Sequence, residues 1–250
     1  MIYLNQKHYP YFEEINEGIL KWIPLNSASD SSVVLDVGCG QGALAEAIAK
    51  RGHTVWGIEA NTEAAQKAQG RLAQLVQEDI TAIPQIQKKL GPQKFDILVF
   101  SDVLEHLTDP FFIFKSYLDF LKPGGMALVS VPNALVWTNR VAFLFGRFEY
   151  ADTGVMDRTH LRFFTFKTAK RLVRAAGCRI HKVDYTPFIV RAFLPLIKKI
   201  MTSGGENDRR QLMDSPAYKL YMKWIYPIEY AFGVCFKPWF AFRIILVAKK

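Results

Sequence analysis

The chain has 250 residues, of which half are hydrophobic and 22% are charged. This composition excludes an intrinsically disordered chain, and the length allows a full core, in one large domain or one domain with an added element. The first ten residues lack the apolar segment of a secretory signal, and no stretch is long enough to span a membrane, so we expect a cytoplasmic protein.

Charge and cysteine usage refine this expectation. Residues 1–125 carry a net charge of −4, whereas residues 126–250 carry 21 Lys and Arg against 8 Asp and Glu, a net charge of +13. Nucleic acid, an anionic membrane surface or an acidic substrate would each explain the basic half, and so would ordinary solvated side chains. The three scattered cysteines suit a reducing compartment.

The predicted elements begin with an N-terminal helical cap, because Phe12, Ile15, Ile19 and Trp22 recur at helical spacing. Residues 1–32 comprise this cap and a polar linker. The core spans residues 33–186 and 240–250, in which apolar strands alternate with helices. The predicted strands are residues 33–37, 53–58, 75–77, 94–100, 126–131, 178–185 and 240–248, and the turn 122–125 leads into the fifth of them.

This alternation predicts an α/β fold with a doubly wound, mostly parallel sheet of seven strands. Two insertions interrupt it. Residues 133–166 follow the fifth strand on the substrate side of the sheet, and residues 187–239 lie between the sixth and seventh strands.

The segment 34–42, VLDVGCGQG, ends the first strand in three alternating glycines and is followed at once by a helix. Such a turn aims backbone amides of the helix N-terminus at a ligand. Gly38, Gly40 and Ala43, with Glu59 at the expected offset, also fit a dinucleotide-binding fingerprint. Asp36 favours the other class of ligand, because its carboxylate would repel a pyrophosphate and attract a cation such as a sulfonium.

The same segment resembles motif I of the class I S-adenosylmethionine-dependent methyltransferases, whose fold is a Rossmann-like seven-stranded sheet. The resemblance implies S-adenosylmethionine as cofactor and extends over about 150 residues. It implies that Glu59, beside Ala60, binds the ribose hydroxyls, and that Asp79 binds the adenine amino group with Ile80 packed on the ring. Because Glu78 directly precedes Asp79, the choice between these two acids as the one that binds adenine stays open. The implied cofactor-binding residues are Asp36, Gly38, Cys39, Gly40, Gly42, Glu59, Ala60, Asp79, Ile80, Ser101, Asp102 and Val103.

The loop 101–107, SDVLEHL, resembles the D-V-L-E-H-L segment of the small-molecule branch, which includes the ubiquinone-pathway O-methyltransferases. It lacks the motifs of adenine, cytosine-C5 and protein-arginine methyltransferases. His106 is a candidate general base, and the alternatives are a structural role or a hydrogen bond to the cofactor. Some relatives hold a divalent cation with the acids and histidine of this loop, but Glu105 and His106 match only in part, so no metal site is predicted.

The segment 157–165, DRTHLRFFT, resembles one found in methyltransferases of glycan, lipid and secondary-metabolite pathways. His160 is the second candidate base, oriented by Asp157. In the alternative, Asp157 and Arg158 hold a lid and His160 is a buried donor. Phe164 is expected to be buried, and Thr165 to cap the following helix. The predicted catalytic residues are therefore His160, His106 and Asp157.

Both insertions carry aromatic and basic side chains. Trp137, Val141, Leu144 and Phe145 recur at helical spacing, and residues 187–239 contain ten aromatics and eight basic residues. This composition is typical of helices at a membrane surface, although a substrate lid or a subunit contact would also use it. No nucleic-acid-binding motif accompanies the charge, so nucleic acid is not expected.

Together these features predict methyl transfer to a hydroxyl oxygen of a small or lipid-linked acceptor of the sugar, quinol or polyketide type. A catalytically inactive binding module and a small-molecule N- or C-methyltransferase remain the alternatives. Peripheral contact with an anionic membrane is expected, and the oligomeric state is left open.

Overall fold

The computed structural model describes residues 15–26, 31–187 and 220–250. Three predictions fall outside the described residues. They concern Phe12 in the cap, the middle of the linker at residues 27–30, and residues 188–219 of the second insertion.

The strands form one twisted sheet in the described part of the chain, with the order β3-β2-β1-β4-β5-β7-β6. The first five strands run parallel, and β7 lies antiparallel between β5 and β6. The predicted doubly wound, seven-stranded fold is confirmed. The strands are β1 Val33–Val37, β2 Thr54–Glu59, β3 Gln74–Gln77, β4 Phe95–Ser101, β5 Leu121–Pro132, β6 Arg179–Pro187 and β7 Ala241–Lys249.

Helices cover both faces of the sheet. They are α1 Glu17–Leu20, α2 Ala43–Ala49, α3 Thr62–Ala68, α4 Ile83–Leu90, α5 Pro110–Tyr117, α6 Trp137–Leu144, α7 Phe166–Ala175, α8 Tyr226–Cys235 and α9 Lys237–Phe240. Short 3-10 turns at Leu104–His106 and Leu118–Phe120 and a π turn at Tyr221–Ile225 complete the described helical elements. None of the helices in this part of the chain is long and apolar enough to cross a membrane.

The fifth strand begins earlier than predicted. Residues 122–125 were expected to form a turn, but β5 already pairs with β4 at Leu121. The next paired residue is Met126, so the four residues between them are an irregularity within the strand. Gly124 permits it because its φ of +75° lies in the left-handed region.

The core lies in two layers, one on each face of the sheet, because side chains alternate along each strand. In β1, Val34 packs with α1 and α2, whereas Leu35 packs on the opposite face with α4, α5 and α7. The parallel strands all end at the same edge of the sheet. The predicted site residues follow those ends, which is where ligands bind in open α/β sheets.

The described part of the second insertion packs against the core through Tyr230. The Tyr230 hydroxyl donates to Asp184 Oδ1 over 2.5 Å, and its ring stacks on Tyr185 with centroids 4.9 Å apart. Asp184 also accepts from Trp22 Nε1 and pairs with Lys21. The helix α8 is therefore tied to β6 and to the N-terminal cap.

Candidate active site

The glycine turn between β1 and α2 brings backbone against the loop after β4. Gly38 has a φ of +73°, and a Cβ there would lie 2.9 Å from Val103 Cγ2. Gly42 is the N-cap of α2 with a φ of +81°. The turn therefore requires glycine at both positions, and it places the N-terminus of α2 at the carboxyl edge of the sheet.

Glu59 supports this turn from the end of β2. One carboxylate oxygen accepts from the Gly40 amide over 2.9 Å and the other accepts from the Asn61 amide over 2.8 Å. Asn61 in turn caps α3, because its Oδ1 accepts from the Ala64 amide. The Glu59 carboxylate is buried beside the turn, and Ala60 follows it directly.

Asp36 is fully buried two residues before the turn. Burial and the nearby charge of Glu59 raise the pKa of Asp36 to about 7. Burial and, to a smaller extent, the charge of Asp36 also raise the pKa of the Cys39 thiol well above its usual value. Cys39 is therefore a protonated side chain that packs against Gly57, where a Cβ would meet its sulfur at 2.7 Å.

Asp79 and Glu78 have different surroundings at the end of β3. Glu78 pairs with Lys89 at 2.9 Å, which lowers its pKa. Asp79 Oδ1 accepts from the amide and hydroxyl of Thr81. Ile80 is buried in the core, and its carbonyl accepts from the Tyr117 hydroxyl over 3.1 Å. Because Glu78 already has a cationic partner, the geometry favours Asp79 as the acid available to a ligand.

The loop after β4 is held by a hydrogen-bond network that sequence reasoning missed. Asp102 has a φ of +55°, and its carboxylate accepts from Ser130 Oγ over 2.7 Å and from Arg243 Nε over 2.6 Å. Asn16 donates to Ser101 Oγ over 3.0 Å and to Ser130 Oγ over 2.8 Å. Arg243 could be found from the sequence only with the antiparallel register of β7, and nothing local marks Asn16.

Two imidazoles lie together beyond this loop. The rings of His106 and His160 meet edge to face, with centroids 4.8 Å apart. His106 Nδ1 lies 3.3 Å from both the carbonyl oxygen and Oγ1 of Thr159, and His160 Nδ1 lies 3.0 Å from the Val155 carbonyl oxygen. A carbonyl oxygen only accepts, so each neutral ring carries its proton on Nδ1 and leaves Nε2 unprotonated.

Burial keeps both rings neutral. Burial and the adjacent His160 lower the pKa of His106 to about 4, and burial also lowers the pKa of His160. Two neutral imidazoles with unprotonated Nε2 atoms are groups that can accept a proton.

The predicted pairing of Asp157 with His160 is wrong. The Asp157 carboxylate accepts from the amide of Thr159 over 2.8 Å and from its hydroxyl over 2.7 Å. The His160 ring is oriented by the Val155 carbonyl instead. Asp157 therefore acts on His106 through Thr159, because the chain turns back on itself between residues 157 and 160. The neighbouring Arg158 forms an exposed pair with Asp152.

Glu105 completes a cluster with the two histidines. Its side chain is 1% exposed, and neither carboxylate oxygen has a hydrogen-bond partner in the described part of the chain. Burial and the charge of Asp102 raise its pKa well above the usual range. One ligand atom from each of Glu105, His106 and His160 lies within 4.8 Å of the others. Although no metal was predicted, this donor set fits a divalent cation.

The segment that carries His160 ends as predicted. Phe164 is buried, and Thr165 Oγ1 accepts from the Thr168 amide over 3.2 Å, so Thr165 caps α7. The amides of Leu161 and Arg162 donate to the Glu105 carbonyl oxygen over 2.8 and 2.9 Å. These bonds attach the segment to the loop after β4.

Comparison with known proteins decides the family. A model described as a methyltransferase domain matches residues 11–183. The chain belongs to this methyltransferase family. It is 30% identical over 200 residues to the ubiquinone biosynthesis O-methyltransferase of Paracidovorax citrulli, covering 78% of this chain and 81% of that protein. A protein of the same name from Pseudomonas paraeruginosa is 36% identical over 138 residues, which cover 53% of this chain and 56% of that protein.

Solved structures agree on the fold of this methyltransferase. An S-adenosylmethionine-dependent methyltransferase from Archaeoglobus fulgidus superimposes with a TM-score of 0.58 at 18% identity, covering 92% of this chain and 90% of that one. The prediction of a class I S-adenosylmethionine-dependent methyltransferase is confirmed, and S-adenosylmethionine is its cofactor. A [4+2]-cyclase has the same fold, with a TM-score of 0.55 at 20% identity over 92% of this chain and 79% of that one, so the fold alone does not define the reaction.

Proposed function

We propose that this methyltransferase transfers the methyl group of S-adenosylmethionine to a hydroxyl oxygen of a small or lipid-linked acceptor of the sugar, quinol or polyketide type. The carbon–sulfur bond breaks as the carbon–oxygen bond forms, and the hydroxyl proton passes to an imidazole Nε2. The observation that carries the proposal is the pair of neutral rings of His106 and His160, each held through Nδ1.

The cofactor is proposed to lie along the carboxyl edge of the sheet. Asp36 would face its positive charge, the glycine turn from Gly38 to Gly42 would pack against its methionine part, and Glu59 with Ala60 would bind the ribose. Asp79 and Ile80 would bind the adenine, and the backbone from Ser101 to Val103 would line the opposite side. The close approach of the Val103 side chain to the backbone of Gly38 supports this arrangement, because it brings the loop that carries His106 next to the turn.

Oxygen is favoured as the accepting atom for two reasons. A hydroxyl must lose its proton during transfer, and the unprotonated Nε2 atoms of His106 and His160 are groups in the site that can accept it. The curated relatives from Paracidovorax citrulli and Pseudomonas paraeruginosa are named O-methyltransferases of ubiquinone biosynthesis, which supports a quinol-type acceptor. The competing function is a binding module that keeps the cofactor site without catalysis.

Mass spectrometry of small-molecule and lipid extracts incubated with methyl-labelled S-adenosylmethionine tests the proposal. We expect one acceptor to gain a labelled O-methyl group while S-adenosylhomocysteine accumulates. Replacing the base by alanine should slow transfer by roughly 10²–10⁴. His160→Ala and His106→Ala are compared with His181→Ala, which removes an exposed imidazole on β6.

Three outcomes would count against the proposal. A loss below about tenfold in both active-site variants would remove the acid–base assignment. Label on nitrogen or carbon would correct the accepting atom. Cofactor binding without turnover of any acceptor would favour the binding module.

A further inference from the structure

The segment after β5 presents apolar side chains to solvent. Leu144 and Phe145 are 80% and 74% exposed, and no residue of α6 is buried. Single exposed apolar residues are ordinary, but several within ten residues mark an interaction site. The 141–150 surface is defined by Val141, Leu144, Phe145, Phe148 and Tyr150, all of which are exposed.

A row of aromatic rings connects this surface with the imidazole pair. Phe148 stacks on Phe143 of α6, with ring centroids 5.3 Å apart, and lies 6.2 Å from Phe163. The Phe163 ring lies 6.4 Å from the His160 ring, which contacts His106. An apolar path therefore runs from the 141–150 surface to the proposed base.

Cationic side chains flank the surface. Arg140 and Arg147 lie on α6 and just after it, and the Arg140 guanidinium stacks 4.5 Å from the ring of the half-exposed Trp239. Glu149 is the acid within the surface. Elsewhere in the described part of residues 126–250, the carboxylates of Asp157, Asp184 and Glu229 are buried and the exposed Asp152 pairs with Arg158, so Lys and Arg dominate the exposed charge of this half.

We propose that the 141–150 surface docks on an anionic phospholipid bilayer. Exposed aromatic and aliphatic side chains beside arginines suit the headgroup depth of a membrane, and the positive field complements anionic lipid. A second copy of the chain fits less well, because a two-fold contact on this surface would bring Arg140 and Arg147 close to the same arginines of the other copy.

The row of aromatic rings provides a route for the acceptor from the bilayer to the base, and this inference about the acceptor rests on the proposed function. An acceptor with an apolar tail would leave the bilayer at the 141–150 surface and follow Phe148 and Phe163 to His160. The acceptor would therefore reach the base without its apolar part entering water.

Vesicle sedimentation with the full chain and no cofactor tests the docking. The vesicles contain phosphatidylcholine alone or with added phosphatidylglycerol. We expect binding to the anionic vesicles at low salt and its loss at high salt. Leu144→Glu and Phe145→Glu should each weaken binding by roughly tenfold, because each removes an inserted apolar side chain and adds a repelled charge.

Leu25→Glu is the matched control, because Leu25 is equally exposed, at 79%, but lies at the amino edge of the sheet. The backbone amide of the next residue, Asn26, donates to the Arg51 carbonyl at that edge. It should bind vesicles as the wild type does. Absence of wild-type binding, equal binding to neutral vesicles, or unchanged binding by Leu144→Glu would each overturn the proposal. A wild-type dimer that Leu144→Glu converts to a monomer in sedimentation velocity, without vesicle binding, would assign the surface to a subunit contact.

The docking and the proposed function fail separately. Calorimetric titration with S-adenosylmethionine, without vesicles, should give the same affinity for wild type, Leu144→Glu and Leu25→Glu. If vesicles bind but no acceptor is methylated, the proposed reaction is wrong and the docking stands. If methylation of a water-soluble acceptor occurs without vesicle binding, the docking is wrong and the reaction stands.

Discussion

Arg243 and Asp102 are 141 residues apart in sequence, and Arg243 Nε donates to Asp102 Oδ2 over 2.6 Å. Asp102 has left-handed backbone, and its other carboxylate oxygen accepts from Ser130 Oγ. The last strand and the fifth strand therefore jointly fix the loop that continues to Glu105 and His106. The C-terminal strand contributes to the site by holding this loop in place.

Arg243→Gln should lower the free energy of unfolding by about 2–3 kcal/mol, because it leaves the Asp102 carboxylate without its charged partner in a mostly buried site. The more exposed pair of Lys122 and Asp96 is the control, and Lys122→Gln should cost less than about 1 kcal/mol. Both changes are measured by urea denaturation. Equal losses would show that the Arg243 pair is no more important than a surface pair.

Glu59→Ala should weaken S-adenosylmethionine binding by about 2–4 kcal/mol, because two charge-assisted hydrogen bonds to the ribose would be lost. Calorimetry measures the affinity, and Glu78→Ala, which removes an acid already paired with Lys89, should leave it nearly unchanged. Glu59 also accepts from the Gly40 amide, so thermal unfolding of the free variant reports any collapse of the turn. Unchanged affinity in a folded variant would mean that Glu59 does not bind the cofactor.

The sequence predicts the parts of this molecule whose signals are local. The turn at Gly38 and the cap at Thr165 depend on neighbouring residues, and both were found. Helix α4 also has a local signal, since Ile83, Ile86 and Leu90 recur on one face. Arg243 could not be found, because its contact with Asp102 depends on the register of β7 across the sheet.

The error at Asp157 has a different physical cause. A spacing of three residues brings side chains together in a helix, but residues 157–160 form a tight turn in which the His160 amide bonds to the Asp157 carbonyl. The carboxylate then bonds to Thr159, and the imidazole turns toward Val155. Spacing predicts side-chain contact only where the backbone conformation is known.

Cofactor affinity should depend on pH through Asp36, whose pKa is raised to about 7. The cofactor's positive charge favours the carboxylate, so binding releases a proton, and affinity should fall by up to about tenfold for each pH unit below 7. The stability of the cofactor-free protein depends on pH in the opposite direction. Protonated Asp36 contributes to the free energy of unfolding below the usual carboxyl pKa of about 4, and this contribution is lost as the pH rises through about 7. Asp36→Asn should bind weakly, with an affinity that no longer varies with Asp36 protonation. Calorimetry between about pH 6 and 8 measures the affinity of the wild type and of Asp36→Asn. The same pH dependence in both proteins would show that Asp36 is not the group that titrates.

A divalent cation at Glu105, His106 and His160 is the alternative to the base role, because an ion bound to the two Nε2 atoms would leave neither ring to take the hydroxyl proton. The rings are neutral, their Nδ1 atoms are held by carbonyl oxygens, and the buried carboxylate has no hydrogen-bond partner among the described residues. Zn²⁺ suits such imidazole-rich donors and is the probe for calorimetry on chelator-treated protein. The metal alternative predicts one saturable site that Glu105→Gln removes and the exposed Glu149→Gln keeps, and such a site would overturn the base assignment. Equal binding by both variants would show that the cluster does not hold the ion, and Glu105 would then be a neutral carboxylic acid.

Thr159 should position His106 for catalysis. Its hydroxyl donates to Asp157 Oδ1, so its oxygen is left to accept from His106 Nδ1 at 3.3 Å. Thr159→Val keeps the shape of the side chain but removes this link, and only the Thr159 carbonyl would still hold the ring. We expect a roughly tenfold slower rate of S-adenosylhomocysteine formation with an unchanged affinity for S-adenosylmethionine, because the loss of an orienting partner affects the transfer step and not cofactor binding. Thr159→Ser retains the hydroxyl and should restore most of the rate. If the serine variant is as slow as the valine variant, or if both bind the cofactor more weakly, Thr159 stabilises the segment without orienting the base.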